Sequence, residues 1–381
     1  MKLRHWMWSF CFCTLFGRAS AADWDVRRFE GRDYVTLENI AAFYGFPKPA
    51  PFSAPTAEAI TAIVAGAASA SEFGITAAAA LAAASRTIVL DSGAMHFEVT
   101  PGLSEVNING VKQWLAFPVR VEDGRALVSR LDLSRIIEPR LRPELITGLE
   151  PVTTVVLDPG HGGHDRGAIS RFGFEKDFAL DVALRARTLL EKAGYKVVMT
   201  RATDIFVPLE ERPAIANRIP NSIFVSIHFN ASNSNADARG FEIFSIAPRG
   251  MPATNDSTPS ERDLRAEPGN AVELPSGALA GSVFHALLGQ VPRVDRGLKH
   301  ARFAVLRLCE RPAVLVECGF VSNPAESSLI SSGAWRERIA DAVADGVEGY
   351  RALAETKQRP RVLADYRRAA GHLQLRDTAT P

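Results

Sequence analysis

Two hydrophobic rhythms divide the chain. Before about residue 148 the apolar positions come in short alternating groups at 87–90, 95–99, 105–108 and 115–119, which predict strands. Asp91-Ser92-Gly93 and Asn109-Gly110 supply turns between them. Two segments repeat one pattern: Gly31-Arg32 and Gly124-Arg125 each open a short strand that runs into a helix capped by Thr36 or Ser129. These elements predict a small α+β accessory module over 22–148, interrupted at 47–85 by a Pro- and Ala-rich insertion of loosely packed helix or linker.

From Val152 onward, strands and helices alternate. The run 152–157 is continuously apolar, as in a strand buried on both faces. Phe178, Val182, Ala186, Leu189 and Leu190 form one stripe of a helix over 175–193, closed by Gly194. Further strands are expected at 195–199, 222–227, 241–246, 304–308 and 313–316, with helices at 278–288 and 335–352. The alternation predicts an α/β domain over 149–352 whose mostly parallel, twisted sheet is flanked by helices. Five prolines break up 247–277, where Thr258-Pro259-Ser260-Glu261 reads as a capping box starting a short helix to Glu267. Residues 353–381 are basic and read as a flexible tail.

The first residues change the picture of compartment. Lys2, Arg4 and His5 precede an apolar run at 6–16 and a small-residue cleavage site, Ala19-Ser20-Ala21. That order predicts a signal peptide over 1–21 and a secreted, periplasmic or envelope protein with no stable membrane insertion once it is removed. Cleavage leaves Cys309 and Cys318, either one disulfide or two buried small hydrophobes. The formal charge of +1 becomes −2, which gives no pull toward nucleic acid or anionic membranes. A hydrophobic share of 46% excludes disorder.

Three buried strands end in polar groups: 152–157 runs into Asp158-Pro159-Gly160-His161, 222–227 into His228, and 313–316 into Glu317. The carboxyl ends of strands in an open α/β sheet face one crevice, and Glu175 opens the helix beside it. Zinc hydrolases commonly use two His and one carboxylate as ligands, with a further carboxylate as general base. His161, Glu175 and His228 with Glu317 meet that need. Spacing alone leaves the ligand set open, because His164, His285 and His300 are spare. The Gly-rich loop lacks the pattern of a phosphate cradle.

The motifs LDPGHGGHDRGA (157–168), EKDFALDVA (175–183), TR (200–201), AN (216–217), VSIHFNA (225–231), RG (296–297) and PAVLVECGFVSN (312–323) occur in one order over half the chain. This stretch resembles the zinc-dependent N-acetylmuramoyl-L-alanine amidases. The resemblance implies Zn2+ held by His161, Glu175 and His228, with Glu317 catalytic and His164 at a variable position. It implies peptidoglycan as the partner and hydrolysis of the bond between N-acetylmuramic acid and L-alanine. Asn230 is a candidate for orienting substrate or backbone, or a turn residue after its strand, and Asp158 either holds a ligand histidine from outside the shell or caps its own loop. The module at 22–148 loosely resembles the copper-amine-oxidase N-terminal-like domain of bacterial wall proteins. In some relatives a helix inserted at 247–277 covers the site until an activator protein withdraws it. The segment here is therefore read either as an ordinary surface loop or as one in which Glu261, Asp263 or Glu267 blocks the zinc. The alternatives are a zinc hydrolase of stem peptides, or a wall-binding or activator protein on an amidase scaffold.

Overall fold

The computed structural model describes residues 24–49, 87–256 and 258–360. The expected signal peptide, insertion residues 50–85 and tail residues 361–381 lie outside them. The N-terminal strands are β1 (Val26–Phe29), β2 (Arg32–Thr36), β3 (Ile88–Asp91), β4 (His96–Val99), β5 (Glu105–Ile108), β6 (Val111–Trp114), β7 (Arg120–Glu122) and β8 (Arg125–Ser129). The two Gly-Arg motifs close hairpins at Glu30-Gly31 and Asp123-Gly124, all four residues having positive φ. Thr36 caps helix α1 (Leu37–Tyr44), and Ser129 caps a helical stretch over 130–141. Asn109-Gly110 is the β5–β6 turn, so the next strand starts at Val111 rather than at 115. Residues 116 and 117 instead donate their backbone N–H groups to the buried Asp132 carboxylate.

The second half contains β9 (Thr154–Pro159), β10 (Ile169–Ser170), β11 (Gly173–Phe174), α2 (Glu175–Lys192), β12 (Lys196–Met199), α3 (Glu211–Asn217), β13 (Ser222–Asn230), β14 (Phe241–Ile246), α4 (Glu273–Gln290), β15 (Asp295–Ala301), α5 (Ala304–Arg307), β16 (Ala313–Phe320), α6 (Pro324–Ile330) and α7 (Gly333–Thr356). The strand expected at 304–308 is the helix α5, closed by local bonds such as Leu308 N–H to the Ala304 carbonyl. A short apolar run does not declare its own period. The tail starts later than expected, because Leu353 and Ala354 are buried in the last turn of α7. The stretch Pro268–Gln290 has the length and composition of a membrane span, yet its helix α4 lies in the core with Leu279, Val283 and Phe284 buried. Cys309 and Cys318 are both free and buried.

One ten-stranded sheet runs in the order β12-β9-β13-β16-β14-β15-β6-β5-β4-β3. It is parallel from β12 to β16, turns antiparallel at β14–β16, and continues as an antiparallel meander from β6 to β3. The boundary expected at 148 therefore does not divide it: β6 of the N-terminal module pairs with β15.

The two faces of the sheet are covered unequally. Val155, Val225 and Val316 pack under the long helices α2, α4 and α7. On the other face Val156, Phe224, Phe244 and Leu315 cluster with neighbouring strand residues and with Ala216 of the short helix α3 and Val305 and Leu306 of the short helix α5. Side chains two residues apart share a face. Asp158, Ser226, His228, Glu242 and Glu317 therefore extend the thinly covered face, which leaves room for a cavity.

His300 lies buried behind this face, its ring nitrogens near Gln113 Nε2 (3.3 Å) and Ser245 Oγ (3.4 Å). Burial, then Arg140 and Arg302, push its imidazole down to about 3. An unfolded histidine titrates near ~6.5, so the unfolded chain takes up a proton that the folded chain refuses. The stabilisation from neutral His300 is complete above that pH and is lost as pH falls toward 3. The unfolding free energy of wild type minus that of His300→Gln should decline by about 1.4 kcal/mol per pH unit between pH ~6 and ~4 in urea titrations. A flat difference would contradict a neutral, buried His300.

Candidate active site

The loop after β9 turns on His161, which has φ 59°, followed by Gly162 and Gly163. Two buried arginines hold it. Arg201 donates to the carbonyls of Pro159 (3.0 Å), Gly160 (2.7 Å) and Lys176 (2.8 Å). Arg212 donates to the Asp158 carboxylate (2.9 Å) and to the carbonyls of Pro159 (2.9 Å), His161 (2.8 Å) and Val207 (3.0 Å). Pro213 follows in the first turn of α3, where its missing N–H costs nothing. Asp158 is fully buried and also accepts from Thr200 Oγ1 (2.6 Å) and Ser226 Oγ (2.7 Å). Its carboxylate oxygens are thus engaged by Thr200, Ser226 and Arg212. Of the two roles expected for Asp158, these contacts match the loop anchor and not the partner of a ligand histidine.

The structure brings His161, Glu175 and His228 together, with one donor atom from each lying within 4.8 Å of the others. Glu175 Oε1 is 3.0 Å from His161 Nε2, 2.9 Å from His228 Nδ1 and 3.1 Å from the Phe229 N–H. Its Oε2 accepts the Ala168 N–H at 2.8 Å. Burial raises the Glu175 carboxyl, but the two facing imidazoles outweigh it and hold the group well below the usual carboxylate range. Burial likewise works against His161, while Glu175 and Asp165 raise it. Asp165 Oδ2 lies 2.8 Å from His161 Nδ1. With Nδ1 turned to Asp165, Nε2 is the nitrogen that faces Glu175 and could meet a cation. Sequence reasoning missed Asp165, although a carboxylate four residues beyond a loop histidine was a readable signal.

Glu317 stands beside His228, its register partner on the adjacent parallel strand. Both lie inside strands rather than after their ends, because β13 continues to Asn230 and β16 to Phe320. Glu317 Oε2 is buried and has no hydrogen-bond partner among the described residues. Burial and the charges of Glu175 and Glu242 push its carboxyl well above the usual range, against Lys299. A dication held among the three donors would oppose that bias. Two nitrogens and a carboxylate oxygen converging on one point, one imidazole fixed from behind, and an unpartnered carboxylate alongside form a donor set that fits zinc.

A cavity of about 830 Å³ opens over these groups. Asn230 and His164 line it, and Phe206, Leu209 and Phe303 form an apolar rim. His164 stacks on Phe206 (4.3 Å between ring centres) and stays out of the cluster. His285 and His300 lie elsewhere.

The structure does not bring Glu261, Asp263 or Glu267 to this cavity. The capping box is formed by Ser260 and Asp263, two residues later than expected, and the 3-10 turn ends at Leu264 rather than at Glu267. Asp263 is buried against Arg302 (2.9 Å). Glu267 accepts the Asn270 backbone N–H and faces Arg307 (3.7 Å), and Glu261 is exposed. Arg302 and Arg307 hold Asp263 and Glu267 beside the residues following β15, so the reading of a blocking carboxylate is corrected in favour of a surface segment.

Comparison with known proteins matches residues 155–349 to a family model described as N-acetylmuramoyl-L-alanine amidase. The chain is 34% identical to N-acetylmuramoyl-L-alanine amidase AmiC of Neisseria meningitidis over 53% of each protein, so it spans about half the length of that relative. It is 34% identical to N-acetylmuramoyl-L-alanine amidase AmiA of Escherichia coli K12 over 51% of this chain and 75% of that protein. A crystal structure of N-acetylmuramoyl-L-alanine amidase from Clostridium difficile 630 aligns with 53% of this chain and 97% of its own, at 31% identity and a TM-score of 0.44. The matched region leaves the N-terminal module outside.

Two substitutions test the geometry. A Cβ on Gly160 would overlap the His228 ring. Gly160→Ala should therefore weaken zinc binding at least ~10-fold in competition with a chromophoric chelator, with circular dichroism unchanged. Undiminished affinity would contradict this packing. Arg212→Met strands the Asp158 charge, and urea denaturation should show a loss of about 3–5 kcal/mol. A loss under about 1 kcal/mol would mean the pair is not structural.

Proposed function

Because the chain belongs to the N-acetylmuramoyl-L-alanine amidase family, we propose that it is a secreted, zinc-dependent cell-envelope enzyme that hydrolyses the amide between N-acetylmuramic acid and L-alanine in peptidoglycan. The convergence of His161, Glu175 and His228 beside the unpartnered Glu317 carries this reading. His161, Glu175 and His228 would hold the metal. Zinc, when bound, supplies a Lewis acid for the amide carbonyl and makes its water more acidic than bulk water.

The chain's own groups do the rest. Glu317, whose Oε2 meets no donor among the described residues, takes the proton of the attacking water as the water oxygen bonds to the amide carbon. It then passes that proton to the amide nitrogen as the C–N bond breaks, because an amine leaves poorly without protonation. The products are the muramoyl carboxylic acid and a stem peptide with a free L-alanine amine. Asp165 fixes the His161 ring, and the apolar rim of Phe206, Leu209 and Phe303 excludes water around the scissile bond.

We assign residues 149–352 the chemistry and 22–148 an accessory role. Digestion of purified sacculi by the chain alone should release intact stem peptides beginning with L-alanine, and a chelator should abolish release. Fragments cut within the stem would favour a peptidase instead. Glu317→Gln should keep its zinc and lose release by at least ~100-fold. Wild-type-like release would remove Glu317 from its role.

A further inference from the structure

Glu242 is a buried carboxylate that the reaction does not use directly. On β14 it lies opposite Glu317 of the antiparallel β16. Its Oε2 accepts from Lys299 Nζ (2.6 Å) and Arg296 Nε (2.8 Å), both on β15. Its Oε1 accepts from Asn230 Nδ2 at 2.9 Å. The Asn230 side-chain oxygen in turn accepts the Ala231 N–H at 2.8 Å. A carboxylate only accepts, so these two bonds leave one orientation of the Asn230 amide. One Nδ2 proton goes to Glu242, and the amide lies in the cavity wall with a second proton to give.

β15 is held in turn by the N-terminal module. The Trp114 indole N–H donates to the Arg296 carbonyl (3.1 Å), and Gln113 Nε2 donates to the Leu298 carbonyl (3.1 Å). The Lys299 ammonium lies 5.8 Å from the Trp114 ring centre. Gly297, at φ 89°, permits this approach: a Cβ there would stand 3.1 Å from both the Lys112 carbonyl oxygen and Trp114 Cδ1.

We propose, resting on the amidase reading, that β6 is a positioning element of the active site. Trp114 and Gln113 set β15, Arg296 and Lys299 set Glu242, and Glu242 orients Asn230. Asn230 then donates its second Nδ2 proton to a carbonyl oxygen of the muramoyl peptide. Asn230 is the substrate-binding residue of this chain, and the others act through it.

The test is a double-mutant cycle in the full-length, zinc-loaded Glu317→Gln protein, titrating a soluble N-acetylmuramoyl tripeptide by calorimetry. Asn230→Ala should weaken binding about 10-fold. Trp114→Ala should weaken it about 3-fold and should have no further effect once Asn230 is alanine. Arg296→Ala, at a partly exposed position that leaves the Lys299–Glu242 pair in place, should repeat the Trp114 pattern, and Arg296→Lys should restore affinity. A structural role alone would not erase these effects in the Asn230→Ala background. Full additivity, wild-type affinity in Asn230→Ala, or no binding by the Glu317→Gln parent each overturns the proposal. Sacculus digestion by wild type decides the amidase reading separately.

Discussion

Two guanidinium groups taken out of water and fixed to backbone carbonyls hold the rest of the site in place. Arg201 and Arg212 bind the carbonyls of Pro159, Gly160 and His161 at the end of β9 and in the loop that follows it, together with those of Lys176 and Val207, and Arg212 also neutralises Asp158. A loop of positive-φ residues would otherwise sample many conformations, because glycine loses the most backbone freedom on ordering. Planar, permanently charged arginines can satisfy several acceptors at once, whereas a lysine offers one point charge. With the loop so held, His161 meets Glu175 at the first residue of α2 and His228 on β13 without any of the three lying near another in sequence.

The site also depends on unequal cover. Three long helices fill one face of the sheet, while short α3 and α5 leave the other partly open. Strand alternation then delivers a column of polar groups to the open side. An extra residue in β16 between the His228–Glu317 and Asn230–Phe320 pairs bends that strand just past Glu317. Negative charge accumulates there, with Glu175, Glu242 and Glu317 on neighbouring elements. The chain answers it unevenly: Glu242 has Lys299 and Arg296, Glu175 has two imidazoles, and Glu317 Oε2 has no donor among the described residues. That inequality is what the proposed roles need: a structural carboxylate in Glu242, a metal ligand in Glu175 and a proton carrier in Glu317.

Much of this was legible before any coordinates. The apolar runs of β9, β13 and β16 and the stripe of α2 declare an α/β sheet, and the polar residues at their ends mark the crevice. What stayed hidden depends on contacts between distant segments. Nothing near Glu242 in sequence announces that Lys299 and Arg296 will neutralise it. The 304–308 run carries no period that separates strand from helix. The pairing of β6 with β15, which merges two expected domains into one sheet, rests on a single register contact between Gln113 and Leu298. The acidic residues of 247–277 suggested a metal plug because their partners, Arg302 and Arg307, lie about forty residues further on.

The roles of His161, Glu175, His228 and Glu317 depend on where a metal sits. A crystal of the zinc-loaded chain, with diffraction collected on both sides of the zinc absorption edge, should show one strong anomalous peak within bonding distance of His161, Glu175 and His228. Glu317 and Asp165 should lie outside the shell. A peak bound by Glu261, Asp263 or Glu267, or a shell lacking any of the three predicted ligands, would contradict it.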